Sequence, residues 1–351
     1  MLQRFLLVIF IFTASATFGF AQTSNQRSVS TEDLEYYLLQ SFLVNDSKQR
    51  IAINHIGIQG RFEESGFLVT AVLEGYPAHT AGIERGDVIL SADSEPFHPV
   101  HSFNLERNSN GDFISITNEH QLRVQRGDSS TELSLVPIYE NLFDSYRSAT
   151  ANSVQEFSAG NKVIGYIRFW ALSRNTNDLI NYQELIRNLD HCDGIIFDLR
   201  NSFGFLDPQH LDLVFNDKSS YFSITEPPNT AFKFAQTSPA LNSPNYRKPI
   251  ALLLNEDTRG GTELFAYQLD KLERVVSLGN STSGRIGNFA LNNARDGASI
   301  DYLPAEELLI DGSEFEGVGV NPEIEVQFEY ENTTRGDPQY DAAVNTLLGI
   351  I

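Results

Sequence analysis

The stretch IALLLNEDTRGGTELFAYQL at 250–269 decides how the rest of the chain is read. Ile250 to Leu254 is an apolar run of strand length, a polar glycine-containing turn follows, and apolar residues resume at helical spacing from Glu263. Strand, tight turn and helix in that order put the residue ahead of the helix where backbone N–H groups and the positive end of the helix dipole converge. Such a place suits a nucleophile whose attack creates an oxyanion. Thr262 holds it in the sequence, and a Thr there serves equally well as the N-cap of a buried helix.

Working outward, KVIGYIRFWAL at 162–172 has strand character, 177–190 is an amphipathic helix, and GIIFDL at 194–199 is another buried strand. This spacing builds a right-handed crossover in a parallel sheet. Ile250 to Leu254 and Val275 to Leu278 extend it, so 162–351 is expected to be an α/β core.

The segment 49–138 has a different texture, with short alternating runs broken by Gly, Asp and Asn, and reads as a small, mainly β module. Between the two, 139–161 is polar and rich in Ser, Ala and Asn, with only a weak helical pattern, and is expected to link them. Ahead of the module, STEDLEYYLLQSFLV at 30–44 opens with a capping-box-like Ser30 and Asp33, so 22–48 is a helical segment with a packing face. Residues 1–21 have the form of an export signal: basic Arg4, an apolar run at 6–12, and small Gly19 and Ala21 before a cut expected after Ala21. The mature protein is then periplasmic or extracellular.

Composition narrows the partners. No later stretch reaches the ~18 apolar residues of a spanning helix. A formal net charge of −21 makes nucleic acid and anionic membrane poor partners. The single cysteine, Cys192, forbids an internal disulfide. His55, His79, His98, His101 and His120 have no ligand-like spacing, so no metal or other cofactor is expected.

Two pieces of the β module carry a resemblance: INHIGIQG at 53–60, and GYPAHTAGIERGDVIL at 75–90 after the strand-like FLVTAVL. Pro77, Ala78, Ala81, Gly82, Ile83, Gly86, Asp87, Ile89 and Leu90 follow the series of the PDZ module of secreted proteases, which this module resembles. A loop containing Gly57 can turn N–H groups toward a peptide carboxylate, and the next strand can pair with the peptide as an added strand. Ile56 and Ile58 would line the pocket for the terminal side chain.

The core extends the resemblance. GYIRF, DGIIFDLRNSFGF, LLLNEDTRGGTELFAY, LGNSTSGRIG and EGVGVNPEIEV follow one another as in the C-terminal-processing (tail-specific) serine peptidase family, which the chain resembles over nearly all its length after residue 21. The resemblance implies hydrolysis of peptide bonds near a C-terminus by a Ser nucleophile with a Lys base. It puts the nucleophile directly before the Glu of the motif, at Thr262, and the lysine at Arg285. It also puts Gly204 and Phe205 where a Gly-Gly pair lines the oxyanion site, and Phe289 where a Gln is usual.

Arginine is a poor substitute for the base. Its pKa of about 12.5 or higher would have to fall more than five units, about 7 kcal/mol, to be half neutral near pH 7. Two expectations follow: an exported protein that binds peptide C-termini without cutting them, or a peptidase using Thr262 with a base from elsewhere, such as Glu256, Asp257 or Glu263.

Overall fold

Ser28–Ser30 (β1) leads into the first helix, Leu34–Leu43 (α1). The Ser30 amide donates to Asp33 Oδ2 at 2.9 Å and closes the entry turn, so the helix starts later than its Ser30 signal and Asp33 is its N-cap. Tyr36, Tyr37, Leu38 and Leu39 are buried from it. The computed structural model describes residues 28–173, 176–205, 208–215, 223–226, 230–233, 245–294, 297–305, 309–330 and 336–351. The export signal expected at 1–21 lies outside the described residues.

The β module is an antiparallel sheet of Ile58–Glu63 (β2), Gly66–Val72 (β3), Val88–Ala92 (β4), His120–Arg126 (β5) and Ser129–Leu135 (β6), in that spatial order. Alternation sets which face is buried: His120, Leu122 and Val124 point in while Gln121 and Arg123 face solvent. β2 is an edge strand with one side unpaired by the sheet.

The expected link at 139–161 is instead a helix, Leu142–Ser153 (α2), and a strand, Gln155–Ala159 (β7). Leu142, Phe143, Tyr146 and Ala149 are buried at helical spacing. The small polar residues between them lower the average and conceal the stripe. Asn141 caps α2, its side chain accepting from the Asp144 amide at 3.1 Å.

The core contains Lys162–Arg168 (β8), Thr176–Asn188 (α3), Gly194–Asp198 (β9), Ile250–Leu254 (β10), Gly261–Leu269 (α4), Val275–Gly279 (β11), Asn288–Ala294 (β12), Gly297–Leu303 (β13), Ile324–Glu325 (β14) and Pro338–Ile350 (α5). The main sheet runs β7-β8-β9-β10-β11-β14, parallel except for β7. Leu179, Tyr182 and Ile186 of α3 and Phe265 and Leu269 of α4 cover one face; Ala343 and Leu347 of α5 cover the other. Burial on both faces explains the unbroken apolar runs of β9 and β10. A mainly β module beside an α/β core with parallel strands is therefore the architecture. A separate sheet, β1-β13-β12, ties the N-terminal segment to the core.

Candidate functional site

Parallel strands bring the loops after β9, β10 and β11 to one edge of the sheet. After β9, buried Asp198 and Arg200 form an ion pair at 2.6 Å. Against the cost of burial, the guanidinium charges of Arg200 and Arg168 hold the Asp198 carboxyl well below the usual carboxylate range. Arg200 also reaches Asp337 at 2.6 Å and Gln339 Oε1 at 3.0 Å, tying the loop to the start of α5. Asn201, in the left-handed region at φ 58°, donates its amide to Asn255 Oδ1 at 2.8 Å, and Asn255 returns a bond to Asn201 Oδ1 at 2.9 Å. The loops after β9 and β10 are thus cross-braced.

The helix begins two residues earlier than its sequence suggests. Gly260 is the N-cap of α4, at φ 72°, and Thr262 lies inside the first turn. Thr262 is fully buried, and its hydroxyl donates to the carbonyl of Arg259 at 2.7 Å and, more weakly, to that of Ser202 at 3.3 Å. Among the described residues no carboxylate, imidazole or lysine lies within hydrogen-bond reach of Thr262 Oγ1. The place at the helix end expected for Thr262 belongs to Gly260, whose amide donates to the Arg285 carbonyl at 2.8 Å and where a Cβ would stand 2.7 Å from the Gly204 carbonyl oxygen.

Glu263 follows inside the helix, fully buried, its Oε1 accepting from the Gly284 amide at 2.5 Å and its Oε2 without a hydrogen-bond partner. Burial pushes this carboxyl up to about 7, against the pull of the Thr282 side chain and of the Gly284 and Arg285 amides. It braces the glycine turn that carries Arg285. The Arg285 guanidinium lies 4.8 Å from the centre of the Tyr302 ring, and Tyr302 donates to Glu316 Oε1 at 2.5 Å.

Gly204 and Phe205 close what would be the oxyanion side. Gly204 pairs with Leu172, and a Cβ there would stand 2.2 Å from the Leu172 carbonyl oxygen. The Phe205 amide donates to that same oxygen at 2.8 Å, so it is spent on main chain. Phe203 packs against Phe205, Phe289 and Phe42 of α1 with ring centres 5.8, 5.7 and 5.6 Å apart. The departures at Phe205 and Phe289 therefore belong to one aromatic cluster, which α1 helps to build. Nearby, Glu35 of α1 faces Arg259 at 3.1 Å. No local signal joins Glu35 to Arg259; only the tertiary fold brings them together.

In the β module, Gly57 adopts φ 79°, and a Cβ there would overlap Tyr76 Cβ at 2.3 Å. Its N–H meets no acceptor among the described residues. Ile56 and Ile58, expected to line a pocket, are buried and packed with Val72, Ala78 and Ile83 inside the module's core. On β2, Gln59 donates to the Asn201 carbonyl at 3.1 Å and to Tyr146 at 2.7 Å. A cavity of about 130 Å³ lies between β2 and the turn before α4, lined in part by Gln59, Gly60, Tyr146, Asp257 and Arg259.

A Ser, His and Glu do meet elsewhere. Ser145 Oγ is 3.1 Å from His55 Nε2 and donates to Glu140 Oε2 at 2.7 Å. The carboxylate holds the serine rather than the histidine, His55 Nδ1 has no partner, and both Ser145 and His55 are buried, so this set is structural.

Fold and site together define a PDZ module joined to a peptidase-type α/β core. Residues 163–326 match the model of peptidase family S41 and residues 54–136 that of the PDZ domain, so the chain carries an S41-type peptidase domain behind a PDZ domain. It is 25% identical over 301 residues to a carboxyl-terminal-processing protease of Synechocystis, covering 80% of this chain and 65% of the relative. It is 21% identical over 306 residues to a Staphylococcus haemolyticus protein described as a CtpA-like serine protease, covering 83% and 57%. The chain thus spans between about half and two thirds of the curated relatives it matches. A Bacteroides fragilis structure described as an S41 protease shares the fold, with a TM-score of 0.54 at 16% identity, over 85% of this chain and 84% of that one.

Proposed function

We propose that this chain is an exported, non-cleaving member of its family that captures the C-termini of peptides beside β2. The observation that carries the reading is the Thr262 hydroxyl, buried and donating to the Arg259 and Ser202 carbonyls, with side-chain-less Gly260 at the helix end. A nucleophile needs an accepting base and access to substrate, and among the described residues the buried Thr262 hydroxyl meets only two carbonyls. Arg285 puts a guanidinium where the resemblance expects an amine base, and the Phe205 amide is already bonded. Support for capture comes from the unpaired edge of β2, the unpartnered Gly57 N–H, and the cavity leading from β2 to the turn before α4.

The test pairs two measurements. Peptides with a free apolar C-terminus should bind, and their C-terminally amidated forms should bind more weakly by about 1.5–3 kcal/mol, the worth of a hydrogen bond to a charged group. The same peptides should remain intact by mass spectrometry, with no labelling by fluorophosphonate probes. Turnover by the wild type that disappears in Thr262→Ala would overturn the reading and make Thr262 a working nucleophile. Equal binding of acid and amide forms would remove the capture role. A mature N-terminus at Gln22 in the native protein is expected; an intact Met1 would remove the export.

A further inference from the structure

We propose that Glu156, His191 and Cys192 form a zinc-binding site at the end of the core sheet opposite the peptidase loops. The three ligand atoms lie within 4.8 Å of one another: His191 Nε2 is 2.6 Å from Glu156 Oε2 and 3.9 Å from Cys192 Sγ. A tetrahedral zinc with bonds of about 2.0–2.3 Å holds such atoms about 3.3–3.6 Å apart. The carboxylate and imidazole part by less than about 1 Å and the imidazole closes on the sulfur from 3.9 Å, their mutual contact being replaced by the metal. Both can move, their side chains being 53% and 58% exposed, whereas the Cys192 thiol is held in place.

The cradle is built by strand register and by one glycine. Glu156 of β7 stands directly across from Gly165 of β8, and a Cβ on Gly165 would lie 3.3 Å from Cys192 Sγ. The absent side chain leaves the sulfur its place next to the carboxylate. The turn that carries His191 and Cys192 is clamped from beneath, because Lys248 Nζ donates to the Asp190 and Cys192 carbonyls at 2.6 Å each. Asp193 fixes its far end to β8, accepting the Val163 amide at 2.8 Å and donating its own amide to the Val163 carbonyl at 2.7 Å.

Thiolate, imidazole and carboxylate are the donor set of zinc, three protein ligands leaving a fourth position for water. Binding releases the thiol proton to solvent and forms the zinc–sulfur bond. Since 190–193 enters β9 while the peptidase loops leave the other ends of the strands, the ion would staple edge strand β7 to the sheet and take no part in peptide chemistry.

The experiment titrates the untagged chain with zinc chloride by calorimetry and, separately, with cobalt(II) followed by absorbance. One zinc per chain is expected, with a thiolate-to-cobalt charge-transfer band and a rise in the melting temperature on adding zinc. His191→Gln, at an exposed position, should weaken binding at least about tenfold, the loss that even an outer partner of a metal ligand brings. Cys192→Ser should abolish the charge-transfer band. Saturation absent at equimolar zinc, a cobalt spectrum without the thiolate band, or affinity unchanged in His191→Gln would each overturn the site.

Discussion

The Gly260 amide donates to the Arg285 carbonyl at 2.8 Å, so the end of α4 and the turn after β11 are joined through main chain. The contact is independent of either side chain. It holds the two loops of the candidate site together whatever side chains they carry.

Restoring reacting groups at the expected positions should therefore fail. Thr262→Ser with Arg285→Lys is expected to give no peptide turnover and no fluorophosphonate labelling, since a serine at 262 keeps its hydroxyl on the Arg259 carbonyl. A hydroxyl at the helix end itself, Gly260→Ser, meets φ 72° and a Cβ 2.7 Å from the Gly204 carbonyl oxygen. Urea denaturation should show Gly260→Ser less stable by about 1–3 kcal/mol.

Glu263 gives stability an unusual pH dependence. Its carboxyl, near 4.5 when unfolded and about 7 when buried, is neutral in both states at low pH, and the folded state then retains its full stability. As pH rises from about 4.5 through about 7 the unfolded chain loses its proton first, and stability should fall by about 3 kcal/mol relative to Glu263→Gln. Chemical denaturation of both proteins at pH 4.5, 6 and 8 checks this; parallel curves would mean that Glu263 does not titrate in this range.

Glu35 and Arg259 couple α1 to the turn before α4. Glu35→Ala leaves the guanidinium of Arg259, 11% exposed, without its partner from α1, and we expect a loss of roughly 1–3 kcal/mol. Hydrogen exchange should speed up in α1 and at 257–263 together. Faster exchange in α1 alone would show that the pair does not carry the coupling.

The Asp198 and Arg200 pair has the opposite pH sign. Its depressed carboxyl contributes stability above the unfolded carboxylate range, and that contribution disappears as acid protonates it. Asp198→Asn should cost about 3–5 kcal/mol at pH 7, because Arg200 stays buried and charged, and should lose most of that deficit in acid. Thermal unfolding across pH tests it, and a deficit that is the same at every pH would refute it.

Much of the architecture was legible in the sequence because its signals are local. Apolar runs marked β9 and β10, alternation marked the β module, and the series from Pro77 to Leu90 marked its PDZ character. Arg285, Phe205 and Phe289 could also be seen to depart from the residue types usual in the family that the sequence resembles. What the sequence could not decide was set by bonds between distant segments. The start of α4 depends on the Gly260 amide finding the Arg285 carbonyl, which moves the helix end away from Thr262. The helix α2 emerged from a stretch read as a link because packing against α1 and β8 rewards four apolar side chains that average composition hides. Ile56 and Ile58 went to the module's core because burial there removes more apolar surface from water than lining an open groove would. Glu156 came to lie beside His191 and Cys192 only through the pairing of β7 on β8 and of β8 on β9, which no spacing along the chain records.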